Sequence, residues 1–203
     1  DILFRSFQHV SLVVQSVLLA TIIAVLLAVL VTRVPALKSA ANMISAIGLT
    51  IPSLALLGLL VPLVGIGTTS PLIAITFYAT LPILRNAVVG LSGVSPTLLE
   101  SAKGMGMGST ARFLRVQLPM AWPVIMAGLR VSAQMSMGVA AIAAYALGPG
   151  LGPYIFTGLA QIGGANALNY ALVGTLGVVV LALLLAAALL LVSRLTTSKG
   201  IRA

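Results

Sequence analysis

The sequence predicts an all-α, polytopic membrane protein, one domain over residues 1–203 with about five transmembrane helices. Three observations predict it. First, 60% of the residues are hydrophobic and only 6% charged, whereas ordinary soluble domains carry about 25% charged residues. Second, the apolar residues come in long runs, and the mean hydropathy is +1.21. A hydrocarbon core of about 30 Å takes about 20 helical residues to cross. Third, the few basic residues are sorted between those runs instead of spread along them.

The same composition excludes several alternatives. There is too much apolar surface for a disordered chain. A transmembrane β-barrel needs strands that alternate apolar and polar residues, and these runs are continuous. The net charge of +9 does not point to nucleic acid, because no basic stripe is interleaved with aromatics. Without cysteine there are no disulfides or thiolate metal sites. One histidine and two acids leave no metal cluster and almost no catalytic groups, so neither an enzyme nor a cofactor held by this chain is expected. His9 reads as an interfacial side chain.

The first run, residues 11–31, is free of charge. It reads as a span and not as a cleavable leader, being too long and lacking a small-residue cleavage site after it. Thr32-Arg33-Val34-Pro35 breaks it. The second span covers residues 39–64, contains Pro52 and Pro62, and ends at Gly65-Ile66-Gly67-Thr68-Thr69. The third covers 71–94, with Pro82, Arg85 and Asn86 inside it. Residues 95–119 are the longest polar segment. The fourth span covers 120–147, followed by a Gly/Pro-rich stretch at 148–153, and the fifth covers 171–192. The 20 glycines suit close helix contacts.

Arg33 and Lys38 lie between spans one and two. Arg85, Lys103, Arg112 and Arg115 lie at the end of span three or in the polar segment, and Arg194, Lys199 and Arg202 follow span five. The connections at 65–71 and 147–170 carry no basic residue. With five spans, these nine of the 11 basic residues share one side. The positive-inside rule makes that side cytoplasmic, with the N-terminus outside and the C-terminus inside.

The polar segment reads SPTLLESAKGMGMGSTARFLRVQLP. Thr97 and Glu100 have capping-box spacing, so a helix is expected to start at Thr97, after a turn at Ser95-Pro96. Leu98, Leu99, Ala102 and Met105 share a broad face. Glu100 and Lys103 form an i,i+3 pair. Gly104, Gly106 and Gly108 end the helix, and Ser109 or Thr110 caps a second short helix carrying Arg112 and Arg115. Pro119 opens span four. Two readings fit a partly apolar helix placed here: it meets a soluble partner, or it lies on the membrane surface. Lys103, Arg112 and Arg115 serve that partner or only fix topology.

The segment resembles the cytoplasmic motif of permease subunits of type I ATP-binding-cassette importers: E-A-A, three residues, G, nine residues, I-x-L-P. This chain has Glu100-Ser101-Ala102, three residues, Gly106, nine residues, Val116-Gln117-Leu118-Pro119. It departs only in Ser101 and Val116. Thr50-Ile51-Pro52-Ser53-Leu54, Gly65-Ile66-Gly67-Thr68-Thr69, Leu81-Pro82-Ile83-Leu84-Arg85-Asn86, Gly104-Met105-Gly106-Met107 and Gly150-Leu151-Gly152 are similar to the osmoprotectant (glycine betaine, carnitine, choline) group. Ser132-Ala133-Gln134-Met135-Ser136-Met137 fits that group less well.

The resemblance implies a division of labour in a bacterial cytoplasmic (inner) membrane. Two permease subunits, identical or homologous, form the pathway. Two cytoplasmic ATPase subunits, which hold ATP and magnesium, each grip a coupling helix, and an extracytoplasmic binding protein delivers the solute. This chain has no GxxxxGK[ST] phosphate loop of its own. The coupling residues implied are Glu100, Ser101, Ala102, Lys103, Gly106, Leu118 and Pro119.

Candidate pathway-lining residues are Asn42, Tyr78, Arg85, Arg130, Gln134, Ser136 and Tyr145. Arg130 lies roughly 16 Å past Pro119 along a helix, where a charge costs on the order of 3 kcal/mol. With no acid in the spans to pair with, it either snorkels to the interface or faces a wet cavity. Quaternary ammonium ions are usually held by aromatic cages. Phe77, Tyr78 and Tyr145 are the main aromatics in the spans and read as packing residues, so specificity belongs to the binding protein. The 148–164 segment, with Tyr154 and Phe156, reads as an outer gate, a docking surface or a simple loop. The function expected is solute import. Alternatives are an amino-acid or methionine permease and, in different classes, a self-gated channel subunit or a non-transporting scaffold.

Overall fold

From residue 18 to residue 30 of the first helix, small residues point inward and large ones outward, the reverse of a soluble protein. The computed structural model describes residues 1–34 and 36–197, and those residues form helices without a strand. In α1 (Ile2–Arg33), Ala20, Ala24 and Ala28 recur every four residues and are fully buried. Leu18, Ile22, Leu26 and Leu30, on the other side, are 51–66% exposed. Lipid tails solvate leucine as well as a protein core does. Close packing of small side chains therefore decides which face turns inward. That face packs along α4 and, less extensively, α7.

Residues 39–64, read as one apolar span containing Pro52 and Pro62, are sharply bent in the structure. They form two helices, α2 (Ala36–Gly48) and α3 (Ser53–Val64), bent by 94° at the break. Pro52 supplies the cause. It disfavours helical backbone at Ile51, cannot donate a backbone hydrogen bond, and stands at the N-cap of α3 with ψ 131°. The break is braced from outside, where the Tyr78 hydroxyl on α4 donates to the Ile51 carbonyl. Gly48 lies against Leu81 and Phe77, and a Cβ there would come within 2.7 Å of Leu81 Cδ1. Among the described residues, four helical stretches are each long and apolar enough to cross a membrane, and the bent pair makes a fifth if it counts as one span.

α4 (Thr69–Ser92) and α7 (Leu118–Ile142) form the centre of the bundle. Ser132 Oγ donates to the Ala79 carbonyl at 2.8 Å. A Cβ at Gly128 would sit 2.6 Å from Asn86 Cβ and 3.0 Å from the Pro82 carbonyl oxygen. The crossing therefore depends on having no side chain at 128. Gly128→Val is expected to overpack this contact and cost about 1–3 kcal/mol. A lowered melting temperature of the detergent-solubilised chain checks this, and an unchanged one contradicts the packing described.

The expected second short helix after the glycines is present from Ser109, but it carries only Arg112, while Arg115 falls in the turn that follows. α6 (Ser109–Arg112) has Gly108 at its N-cap, with no side-chain cap from Ser109 or Thr110. It runs through a π-helical turn, Phe113–Gln117, straight into α7. Pro119 gives a physical reason for that turn. In α-helical register its ring would meet the carbonyl four residues back, and the wider turn gives it room. Gln117 Nε2 donates to the Leu91 carbonyl at 3.1 Å, tying this entry to the end of α4.

Beyond α7, a 3-10 turn (Ala143–Ala146) leads to α8 (Gly152–Ala160), so part of the 148–164 segment is a helix. α9 (Ala167–Thr196) buries only Gly174. Its far end is pinned by Trp122 Nε1, which donates to Thr196 Oγ1 at 2.7 Å. Lys199 and Arg202 lie outside the described residues.

His9 is not interfacial in the structure, because it is fully buried. Leu151 N–H donates to its Nδ1 at 3.3 Å, and Nε2 lies 3.2 Å from the Met137 carbonyl. With Nδ1 accepting, the ring proton belongs on Nε2, which donates to Met137. One imidazole thus joins α1, α7 and the turn before α8. Gly150, at φ +122°, leaves the ring room, since a Cβ there would come within 2.6 Å of Nδ1.

Candidate functional site

α5 (Pro96–Gly104) lies between α4 and α6, at the end of the bundle where α1 and α9 finish and α7 begins. Arg33, Lys103, Arg112, Arg115 and Arg194 all belong to this end. The capping box at Thr97 and Glu100 does not form. Ser95 is the N-cap and Pro96 the first helical residue, with no side-chain cap bond. Proline at that position has its φ preset for the helix and loses no needed donor. Thr97 is already inside the helix, and its carbonyl accepts from Ser101 Oγ at 2.9 Å.

The glycines close α5 in a defined way. Gly106 N–H donates to the Lys103 carbonyl at 3.0 Å and Met107 N–H to the Ala102 carbonyl at 3.1 Å. With Gly106 at φ +84°, this is a Schellman ending. The motif glycine is the one residue of the ending that must take left-handed backbone.

The expected face of Leu98, Leu99, Ala102 and Met105 is divided. Ala102 is 1% exposed and Leu99 half-buried, turned toward the chain's own α6 and π-helical turn. Ala102 thus seats the helix on its own chain instead of meeting a partner. Leu98 and Met105 remain 39% and 72% exposed. Glu100, Ser101 and Lys103 are exposed as well. Glu100 makes no ion pair among the described residues, so the expected bond to Lys103 is not formed. Leu118 is half-buried against the core and Pro119 exposed at the start of α7. The site can present a short, rigidly ended helix with two apolar side chains and a free carboxylate. Among the described residues, no three of His, Cys, Asp and Glu gather where they could hold a metal.

The pathway candidates divide into two sets. Asn42, Arg85, Gln134 and Tyr145 are exposed, on α2, α4, α7 and the 3-10 turn. Gln134 shares its bare side of α7 with Val131, Met135 and Gly138. Tyr78 and Ser136 are buried within the chain, Tyr78 as the brace on Ile51, while the Ser136 hydroxyl has no hydrogen-bond partner. Arg130 is half-buried in mid-helix. At the opposite end of the bundle, Arg5 stands 5.6 Å over the Tyr154 ring, which stacks on Tyr170 at 6.2 Å, and Phe156 stays exposed.

Sequence reasoning missed Pro96 as the start of α5, although proline after serine is itself a start signal. It also missed the meeting of Arg33 with Lys103 and Arg112, for which the sequence holds no signal.

Comparison with known proteins agrees with this geometry. Residues 16–198 match the model of a family described as binding-protein-dependent transport system inner membrane component. The chain is 37% identical over its whole length to the choline transport system permease protein OpuBB of Bacillus subtilis, covering 91% of that protein. It is equally similar, 37% over 204 residues, to that organism's glycine betaine/carnitine/choline transport system permease protein OpuCB. The osmoprotectant import permease protein OsmW of Salmonella typhimurium is 38% identical over 97% of this chain and 92% of its own. Among solved structures, an inward-facing form of the MetNI methionine ABC transporter superposes with a TM-score of 0.81, over 97% of this chain and 96% of that one, at 24% identity. At that identity the likeness concerns the fold. With sequence and helix order both in common, the chain belongs to the family of binding-protein-dependent transport system inner membrane components, the membrane-spanning permeases of ATP-binding-cassette importers.

Proposed function

We propose that this chain forms the translocation pathway of an ATP-driven importer of osmoprotectants of the quaternary ammonium class, such as choline, carnitine or glycine betaine. The observation that carries the reading is α5, a short helix with an exposed Glu100 and a glycine-closed end, at the basic end of the bundle. The printed functions of the similar permeases support the solute class. Two such chains, or one with a homologue, enclose the pathway. Two ATPase subunits holding ATP and magnesium take the α5 helices on the cytoplasmic side. A binding protein loads the solute from the other side, where the N-terminus lies.

In this reading the exposed side of α7 with Gln134 faces the pathway, and Arg130 borders it. A cation over an aromatic face is attracted by the ring quadrupole. Few aromatic faces are offered here, so the permease holds the solute weakly and selection rests with the binding protein. The test is uptake of radiolabelled choline, glycine betaine, carnitine and methionine in cells expressing the chain with its neighbouring ATPase and binding protein. Uptake of the quaternary ammonium solutes with none of methionine is expected. Methionine uptake alone would assign the chain to the amino-acid class.

A further inference from the structure

At the basic end, the last turn of α1, the coupling helix α5 and the start of the α6–α7 run enclose a cavity of about 510 Å³. Arg33 reaches it from α1, Lys103 from α5 and Arg112 from α6. Glu100 is the acid on its wall, so the lining carries a net charge of +2. None of these four side chains makes an ion pair with another described residue. The rest of the wall mixes the polar Thr32, Ser109 and Gln117 with apolar groups, among them Val29 one turn inside the end of α1 and Phe113 packed partly into the core. The position is at the membrane surface, because Arg33 ends the apolar run of α1.

We propose that this cavity binds the phosphate of an anionic phospholipid headgroup. Three cations from three separate elements face a space open to the membrane interface. A phosphate there gains charge-assisted hydrogen bonds, and the guanidinium forks of Arg33 and Arg112 suit its geometry. Acyl chains leave along Val29 and the lipid-facing side of α1, which a soluble anion has no use for. The occupied site joins α1 to the coupling helix, so headgroup binding steadies α5 against the bundle. The site stands independently of which solute is carried.

The experiment is native mass spectrometry and thermal melting of the purified full chain, delipidated and then mixed with phosphatidylglycerol, phosphatidylcholine or inorganic phosphate alone. The expected result is retention of one phosphatidylglycerol per chain with a raised melting temperature, little retention of phosphatidylcholine, and no stabilisation by inorganic phosphate. Each basic residue near an anionic lipid surface is worth about fivefold in affinity, so Arg33→Gln/Lys103→Gln/Arg112→Gln is expected to weaken retention on the order of a hundredfold. Glu100→Gln removes the opposing carboxylate and is expected to strengthen it, a gain that a misfolded chain cannot produce. Equal retention of the two lipids, equal stabilisation by phosphate alone, or an unchanged Glu100→Gln chain would overturn the proposal. So would full lipid retention by the triple variant combined with loss of ATPase binding, which would assign the cations to the protein partner.

Discussion

Gly106→Val is expected to abolish ATP-coupled transport while leaving the chain folded in its membrane. A Cβ at this position would meet nothing within 4 Å, so space is not the constraint. The constraint is the backbone at φ +84°. Left-handed conformation costs a non-glycine residue about 1–2 kcal/mol, and it is least accessible to a β-branched one. Valine therefore opposes the two bonds that end α5, from Gly106 to Lys103 and from Met107 to Ala102. The last turn, with Met105, loses its fixed position. Asparagine tolerates left-handed backbone, so Gly106→Asn is expected to stay within a few-fold of the parent chain. The measurement is ATP hydrolysis stimulated by loaded binding protein in the reconstituted assembly, alongside the elution profile of the permease. A drop of tenfold or more for valine, with an unchanged profile, fits the account, while equal losses for valine and asparagine contradict it.

His9→Ala is expected to be the most damaging change at the other end of the bundle. It leaves the buried Leu151 N–H without its acceptor, and takes from the Met137 carbonyl, inside α7, the bond it accepts in addition to its helical one. Each buried group left unsatisfied costs about 1–3 kcal/mol, and the lost ring volume adds a cavity. The loss is local before it is global, because His9, on α1, hydrogen-bonds both Leu151 in the turn and Met137 in α7. Hydrogen exchange should therefore quicken first at residues 148–160, with α4 still protected. Exchange unchanged across that segment would show that the imidazole does not hold it. The exposed Glu100→Gln, by contrast, is expected to leave this region's exchange unaltered.

These two sites also mark the limits of what the sequence conveys. The spans were legible because hydropathy is a local property, and each run of residues carries its own length and charge. Gly106 was legible as a spacing to Glu100 and to Leu118-Pro119, although its left-handed backbone appears only once the two carbonyl partners are placed. The start of α5 was misread because two local signals competed, and Pro96 at the first helical position prevailed over the spacing of Thr97 and Glu100. His9 was misread for a different reason. Its partners lie 128 and 142 residues away, and no local pattern reports on them. The bend at Pro52 falls between these cases. The proline announces a break, but its sharpness depends on Tyr78, 27 residues from the Ile51 carbonyl it bonds, and on how closely Leu81 approaches Gly48.

The central claim is that this chain carries solute only when a separate ATPase drives it through α5. Proteoliposomes with the permease, its ATPase and a loaded binding protein, assayed for solute entry with and without ATP, test this most directly. The account predicts entry that requires ATP, rises above the outside concentration and falls to background with Glu100→Arg. Solute flow down its gradient through the permease alone, unaffected by ATP or by Glu100→Arg, would instead make the chain a self-gated channel and contradict the account.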